Sequence, residues 1–285
     1  FAIGVALNLG FVLVEAFYGY VADSLALIAD AGHNLSDVFG LLLAWAAAWL
    51  SRRAPTPRRT YGYRRSSILA ALINAVVLLI AVGGIMWEAV RRFAYPTPID
   101  GGIVMWVAGI GIIVNTATAL MFMSGRKGDL NIQGAFLHMA ADAAVSFGVV
   151  VAAGVIMLTG WLWLDPVVSI LIALVITVGT WGLLRDSVNL AMDAVPDNID
   201  PHAVLTYLTG QPDVLEVHDL HIWGMSTTET ALTVHLVRPQ AALDDGLLVR
   251  LRHELHERFA IQHATIQIEA GDPAMPCPQA PAHVV

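Results

Sequence analysis

The chain has 285 residues, of which 57% are hydrophobic and 13% are charged, whereas a soluble domain carries about 25% charged residues. This composition indicates a protein that lies in a membrane, and the formal net charge of −8 excludes a basic nucleic-acid binder. A single cysteine, Cys277, excludes a disulfide framework and a zinc finger built from cysteines.

The charge is distributed unevenly along the chain. Residues 1–185 carry 11 Arg and Lys against 9 Asp and Glu, whereas residues 186–285 carry 4 against 14 and hold 8 of the 10 histidines. This split predicts a transmembrane domain over residues 1–185 and an acidic soluble domain over residues 186–271. A histidine-rich acidic domain suits cations, although an ordinary solvated surface fits the pattern equally well. Residues 272–285 are rich in proline, and we expect a disordered tail there.

Six apolar segments follow one another in the first part of the chain. Each is about long enough to cross a hydrocarbon core of ~30 Å as a helix. They cover Ala2–Tyr20, Ser24–Leu50, Ser66–Arg91, Gly101–Ser124, Asn131–Thr159 and Asp165–Leu184. The chain begins at Phe1 inside an apolar run, so we expect further residues to precede it.

Basic residues predict the orientation of these helices. The loop Ser51–Arg65 holds six arginines, the loop at Arg126 and Lys127 adds two basic residues, and the opposite side has Arg91 and Arg92. The positive-inside rule then places the arginine loop, both termini and the acidic domain in the cytoplasm. The prediction is a multi-pass protein of the inner (plasma) membrane.

Short helices and strands alternate after residue 185. The patterns predict a helix at Pro201–Thr209, strands at Val214–Trp223 and Thr230–Val237, a helix at Leu243–Phe259 and a strand at Ala264–Glu269. This α-β-β-α-β order is typical of a small α+β domain of the ferredoxin-like kind that lacks its usual first strand.

Two identical His-x-x-x-Asp pairs lie within the second and fifth apolar segments. His33 and Asp37 form the first pair, and His138 and Asp142 form the second. Residues i and i+4 share one face of a helix, so both members of a pair can bind one ion. The pairs lie at comparable depth on antiparallel helices and are expected to meet near the middle of the bilayer. Two imidazoles and two carboxylates suit tetrahedral Zn²⁺, whose charge the carboxylates neutralise.

Other polar residues of the apolar segments are weaker candidates. Asp30 shares the face of His33, where it fits a proton path or a structural role. We expect Glu15 near the outer membrane interface, in contact with water. A membrane anchor needs no buried ligand pairs, which favours transport over an anchored metal sensor. The segments hold no His-Glu-x-x-His motif, which argues against a metalloenzyme.

A second candidate metal site lies on the predicted strands. His218 belongs to the first strand, His235 to the second and Glu269 to the third. Adjacent strands of one sheet can bring these three side chains together around a metal ion. Surface histidines that only make hydrogen bonds are the alternative interpretation.

Four motifs together resemble the cation diffusion facilitator family, in its zinc-transporting branch, over essentially the whole chain. They are Ser-Leu-Ala-Leu-Ile-Ala-Asp-Ala-Gly-His-Asn-Leu-Ser-Asp, Arg-Thr-Tyr-Gly-Tyr-Arg-Arg, His-Met-Ala-Ala-Asp and Val-His-Asp-Leu-His-Ile-Trp. The resemblance implies six transmembrane helices, a cytoplasmic metallochaperone-like domain, a homodimer, and metal efflux driven by inward proton flow.

The resemblance also assigns roles to single residues. The implied transport ligands are His33, Asp37, His138 and Asp142. Arg65 and Asp193 match a charge pair that in some members interlocks the third helix with the cytoplasmic domain at the dimer interface. His218 and His235 match metal ligands of that domain, whereas Gln267 replaces a histidine found in some members. Some members also bind metal in the loop after the second helix, but this loop has no His or Asp, and we expect no site there.

The prediction is therefore a non-enzymatic, proton-coupled exporter of divalent transition-metal ions, with Zn²⁺ as first choice. It works in the lipid bilayer as a homodimer and binds no nucleic acid. A broader exporter of cadmium, cobalt or iron and a membrane-anchored metal sensor are the alternatives.

Overall fold

The computed structural model describes residues 2–123, 130–239 and 245–281, apart from the side chains of residues 2–8, 37, 41, 44, 122 and 130–135. Its elements are α1 Ala2–Val21, α2 Leu25–Ser51, α3 Ser66–Ala94, α4 Gly101–Met123, α5 Leu130–Thr159, α6 Leu164–Ala191, α7 Pro201–Thr209, β1 Glu216–Gly224, β2 Thr230–Val237, α8 Asp245–Phe259 and β3 His263–Glu269. They form two compact units, one of Phe1–Leu43 with Ile73–Leu184 and one of Ala44–Leu72 with Arg185–Val285.

The six predicted apolar segments correspond to helices α1 to α6. Within the described residues, five helices are long and apolar enough to cross a membrane, and Leu9–Val21 of α1 is a shorter apolar helix. The largest difference is at the end of α6, which continues to Ala191, whereas the predicted segment ends at Leu184. Hydropathy marks the apolar length of a helix, and the backbone hydrogen bonds of α6 continue past it through polar residues.

Small and β-branched side chains form the core of the first unit. Its buried members are Ala22, Ala26, Leu27, Ala29, Val82, Val104, Val107, Ala108, Val149, Ala153, Ile172, Ala173 and Ile176. Small side chains let helices approach closely, which matters in lipid because packing rather than water exclusion holds the helices together. Large apolar side chains such as Trp87, Trp106 and Leu158 are 75%, 78% and 88% exposed, as expected for helices surrounded by lipid.

A buried carboxylate at the start of α6 caps helix α2. Asp165 accepts a hydrogen bond from Ser24 Oγ at 2.7 Å and from the next two backbone N–H groups at 3.0 and 3.2 Å. These N–H groups begin α2 and have no acceptor within the helix. Arg92 of α3, itself buried, lies 2.6 Å from Asp23 and 3.7 Å from Asp165. The network fixes the N-terminal end of α2, which begins about two turns before His33.

The second unit contains a three-stranded sheet in the order β1-β2-β3. β1 and β2 pair antiparallel, whereas β2 and β3 pair parallel with α8 as the crossover helix that a parallel pair requires. A complete ferredoxin-like sheet has an additional N-terminal strand between the strands that correspond to β2 and β3. Because the described residues of this domain lack that strand, β2 and β3 pair directly. The predicted α+β domain is thereby confirmed, with β1 beginning at Glu216 rather than Val214.

A β-bulge interrupts the alternation of side chains in β1 between His218 and His221. His218 pairs with His235 but His221 pairs with Thr233, so β1 has one more residue than β2 in this stretch. Asp219 lies in the bulge with φ 51°, a left-handed conformation that aspartate tolerates better than most residues. In a regular strand, neighbouring side chains point to opposite faces. The bulge instead places both His218 and Asp219 beside His235.

Candidate functional site

His33, His138 and Asp142 come together between α2 and α5. Asp142 Oδ1 lies 3.5 Å from His33 Nε2, and Asp142 Oδ2 lies 3.6 Å from His138 Nε2. The two imidazole centroids are 5.8 Å apart with the rings edge to face. One ligand atom from each residue lies within 4.8 Å of the others. A metal ion with bonds of about 2.0–2.2 Å can therefore contact all three side chains after small adjustments.

Burial differs within this helix cluster. The Asp142 side chain is 2% exposed, whereas those of His33 and His138 are 23% and 41% exposed. Asp142 Oδ2 has no hydrogen-bond partner in the described part of the chain. A buried carboxylate oxygen without a donor costs free energy that a bound cation would offset. The donor set therefore fits a divalent metal ion.

The fourth predicted ligand of the helix cluster is Asp37. It lies on α2, one turn after His33. Its side chain lies outside the described residues, so its role as a ligand stays a prediction.

Two further carboxylates are buried in the first unit. Asp30 accepts a hydrogen bond from Ser146 Oγ at 2.7 Å, and Glu15 accepts one from Asn34 Nδ2 at 3.3 Å. Both carboxylate side chains are fully buried. The expectation that Glu15 contacts water at the membrane interface is wrong, because Glu15 is buried where Asn34 of α2 can donate to it. Ser146 lies on α5 one turn after Asp142, and this i, i+4 spacing could have indicated Ser146 from the sequence.

The second cluster lies on the sheet and contains His218, His235, Glu269 and Cys277. Glu269 Oε2 is 3.4 Å from His218 Nε2, and Glu269 Oε1 is 3.0 Å from His235 Nδ1. Cys277 Sγ lies 3.6 Å from the same His235 Nδ1. One ligand atom of each of the four residues lies within 4.8 Å of the others. The structure thus brings together the three residues predicted from the strands and adds a cysteine that the sequence analysis missed.

Carboxylates also face the far nitrogens of both imidazoles in this sheet cluster. His218 Nδ1 lies 3.6 Å from Glu216 Oε1, and His235 Nε2 lies 3.4 Å from Asp219 Oδ2. Histidines that bind metal commonly direct their second nitrogen to such a carboxylate, which orients the ring. The bulge at Asp219 therefore supplies the orienting group for His235.

The charge state of Glu269 favours cation binding. Burial opposes its ionisation, but hydrogen bonds from Gln267 and Cys277 and the nearby His218 and His235 together hold the pKa of Glu269 below its usual value. Gln267 donates to Glu269 Oε1 at 2.9 Å. The residue that replaces a histidine of some family members thus positions the carboxylate.

Charged and polar contacts connect the start of α3 with the C-terminal part of the second unit. Arg65 donates to Asp193, both about half exposed, and the pair predicted from the sequence is therefore formed within one chain. Arg64 pairs with Glu229, a contact that sequence reasoning did not identify. Ser67 Oγ accepts a hydrogen bond from the backbone N–H of Thr227 at 3.1 Å.

Comparisons with known proteins follow the same division of the chain. Residues 1–190 match the cation efflux transmembrane domain, and residues 196–271 match the cytoplasmic domain of cation efflux proteins. The zinc transporter ZitB of Escherichia coli (strain K12) is 38% identical over 262 residues, which cover 91% of this chain and 83% of that protein.

Two other relatives and one solved structure are also similar. The metal cation efflux system protein CzcD of Cupriavidus metallidurans is 38% identical and covers 98% of this chain and 88% of the relative. A cadmium, cobalt and zinc/H(+)-K(+) antiporter of Bacillus subtilis (strain 168) is 36% identical, and the match covers 91% of this chain and 85% of that protein. The metal-bound C-terminal domain of the CzcD transporter is 36% identical, with 25% of this chain and 99% of that chain covered and a TM-score of 0.24.

The family matches span both the helical and the α+β part, and the relatives are similar over most of their own length. Similarity to zinc transporters agrees with the resemblance that the four sequence motifs indicate. This chain therefore belongs to the cation efflux family, the cation diffusion facilitators, with similarity to its zinc-transporting branch.

Proposed function

We propose that this protein exports divalent transition-metal ions, Zn²⁺ first, from the cytoplasm in exchange for protons. The proposed transport ligands are His33, Asp37, His138 and Asp142. The observation that carries the proposal is the convergence of two imidazoles on the buried carboxylate of Asp142. As a cation efflux protein the chain is a multi-pass membrane transporter and not an enzyme.

The ligand chemistry supports zinc as the preferred ion. Imidazole nitrogen and carboxylate oxygen suit Zn²⁺, whereas copper(I) prefers thiolates and thioethers, which the helix cluster lacks among its described side chains. Two aspartates would balance the charge of one divalent cation in a low-dielectric site. The relatives named for cadmium, cobalt and zinc support a broader range of ions as the alternative.

Competition for the same groups supports coupling to protons. Zn²⁺ binds neutral imidazole and ionised carboxylate, so protons and metal displace each other. The usual pKa of histidine, about 6.5, allows this exchange near neutral pH, which makes His33 and His138 the proposed proton carriers. An empty site with two charged carboxylates is costly in low dielectric. Only the metal-loaded or protonated site should therefore change its access from one side of the membrane to the other.

The C-terminal domain has a proposed regulatory role. His218, His235 and Glu269 are the proposed ligands of a metal site apart from the transport ligands, and the described residues 192–239 and 245–281 include no helix long and apolar enough to cross a bilayer. We place this domain and both termini in the cytoplasm of an inner-membrane protein, following the arginine-rich loop Ser51–Arg65. We also propose a homodimer, with Arg65 and Asp193 near its interface.

Zinc flux in proteoliposomes tests the proposed transport. Purified protein is reconstituted with a zinc-sensitive dye and a pH-sensitive dye, with and without an imposed pH gradient. We expect zinc to move against the direction of the protons and to respond to the gradient, while the variant Asp142→Asn transports neither. Zinc movement without a proton countercurrent would contradict the antiport and leave facilitated diffusion. No zinc movement at all, together with retained zinc binding by the C-terminal domain, would favour a membrane-anchored sensor.

A further inference from the structure

We infer that Cys277 is the fourth ligand of a metal site on the sheet, and that the bound metal fastens residues 272–281 to β2 and β3. The inference rests on the proposed site of His218, His235 and Glu269 and extends it to a thiolate. The ligand class is a thiophilic divalent cation such as Zn²⁺ or Cd²⁺. Binding forms a metal–sulfur bond, and the thiol proton leaves to solvent.

The path of the chain after β3 brings the thiol back to the sheet. Gly271 has φ +69°, and a Cβ there would approach the Val237 side chain to 2.7 Å, so this reversal requires glycine. The next residues continue the turn, since Asp272 accepts hydrogen bonds from the backbone N–H groups of Ala274 and Met275 at 2.9 and 3.0 Å. Cys277 then lies 3.6 Å from His235 Nδ1, on the neighbouring strand.

His218 is an independent sign that the cluster binds a ligand. Its side chain is 6% exposed, yet within the described residues neither ring nitrogen makes a hydrogen bond. Its Nε2 faces Glu269 at 3.4 Å, toward the position that His235 and Cys277 share. A buried imidazole without a hydrogen bond is costly, and metal coordination through Nε2 would satisfy it.

The four ligands suit a tetrahedral site that differs in character from the helix cluster. Two imidazole nitrogens, one carboxylate oxygen and one thiolate match the ligand types of closed zinc sites, with Zn–S distances of about 2.3 Å. Without metal, a backbone hydrogen bond from Gln279 favours the thiolate, but desolvation and the carboxylates of Glu269 and Asp219 raise the pKa of Cys277 above its usual value. The carboxylates that oppose the thiolate are the groups that attract a cation. A thiolate also strengthens the preference for soft ions, so Cd²⁺ should bind here well.

The single cysteine makes the inference directly testable on the full-length protein. The test uses Asp142→Ala protein in detergent, so that the helix cluster does not contribute. The rate of maleimide labelling of Cys277 is measured with and without Zn²⁺, and the thiolate-to-metal charge-transfer absorption is recorded with Cd²⁺. We expect Zn²⁺ to slow labelling at least about tenfold, because a metal-bound thiolate is not a free nucleophile. We also expect the intensity of the charge-transfer absorption with Cd²⁺ to correspond to one metal-bound thiolate per chain.

Matched variants separate the sheet site from nonspecific thiol binding. Moving the thiol by Cys277→Ser with Met275→Cys, at a position that is 75% exposed, should abolish both the protection and the band. The variant His235→Ala, which retains Cys277, should also lose the protection by Zn²⁺ and the absorption band with Cd²⁺. Labelling that Zn²⁺ leaves unchanged in protein with intact Cys277 would overturn the inference. Full zinc affinity of the C-terminal domain in Cys277→Ser would also overturn it while leaving the three-ligand regulatory site in place.

Discussion

The two candidate metal clusters use similar side chains on different frameworks. In the helix cluster, His33 and His138 are 23% and 41% exposed and lie on separate helices, α2 and α5. In the sheet cluster, His218 and His235 are 6% and 10% exposed and lie opposite each other on paired strands. The sheet cluster also includes a thiol, whereas the described helix ligands offer nitrogen and oxygen.

This difference matches the different tasks that we propose for the clusters. A transport site must release its ion, so partly exposed ligands on separate helices allow the geometry to open and close. A regulatory site must hold its ion until the cytoplasmic concentration changes. Hydrogen bonds between β1, β2 and β3 fix the spacing of its histidines, and burial excludes competing water. In this proposal the framework that holds the ligands, and not only their chemical type, distinguishes the transport site from the regulatory site.

The largest expected effect is the loss of transport in Asp142→Ala. The change removes the carboxylate that faces both imidazoles, and with it one of the proposed ligands that balance the charge of the ion. We expect zinc flux in proteoliposomes to fall at least about a hundredfold, while the protein still folds, since alanine also removes a buried charge. The control is Asp100→Ala, which removes an exposed carboxylate outside both clusters. Wild-type flux in purified Asp142→Ala would refute the transport site.

A smaller effect on ion preference is expected for His33→Asp. Oxygen in place of nitrogen adds negative charge and weakens the preference for tetrahedral zinc. The ratio of zinc flux to cadmium flux should fall by roughly tenfold, about 1.4 kcal/mol of discrimination. Fluxes of both ions in the same vesicles measure it, with His202→Asp on the exposed side of α7 as a control. An unchanged ratio would remove His33 from the residues that select the ion.

The double variant His218→Ala/His235→Ala should alter regulation more than transport. It removes two ligands of the sheet cluster and leaves the helix cluster intact. The zinc concentration for half-maximal flux should rise at least about fivefold, because coupling between two sites typically changes affinity by at least about that factor. Flux should persist at high zinc. Concentration series in vesicles test this. Complete loss of flux in stable, dimeric protein would show that the two clusters do not divide the work as proposed.

The smallest effect is expected for Arg65→Ala. Arg65 and Asp193 are each 53% exposed, and exposed ion pairs contribute about 0–1 kcal/mol to stability. Thermal unfolding of the protein in detergent should therefore shift only slightly, and Asp193→Ala should give the same small shift. A large shift accompanied by loss of the dimer would mean that this pair supports the proposed homodimer interface rather than one chain alone.

Much of the fold and of both clusters followed from local patterns in the sequence. Apolar length determined the transmembrane helices, because lipid requires each segment to satisfy its own backbone hydrogen bonds. The i, i+4 spacing identified His138 and Asp142 as neighbours on one helical face, and the structure brings them together with His33. The order of short helices and strands predicted the α+β domain, whose sheet contains the predicted ligands His218, His235 and Glu269.

Tertiary structure decided what local patterns do not encode. Cys277 contacts His235 across 42 positions in sequence, by way of a turn whose direction no periodicity predicts. The bulge at Asp219 reverses the expected alternation of β1, and Glu15 is buried because α2 supplies Asn34 as its partner. The sequence by itself thus determined which segments cross the membrane and which residue types can bind metal. The packing of helices and strands decided which of them meet, because that depends on contacts between segments that lie far apart in the chain.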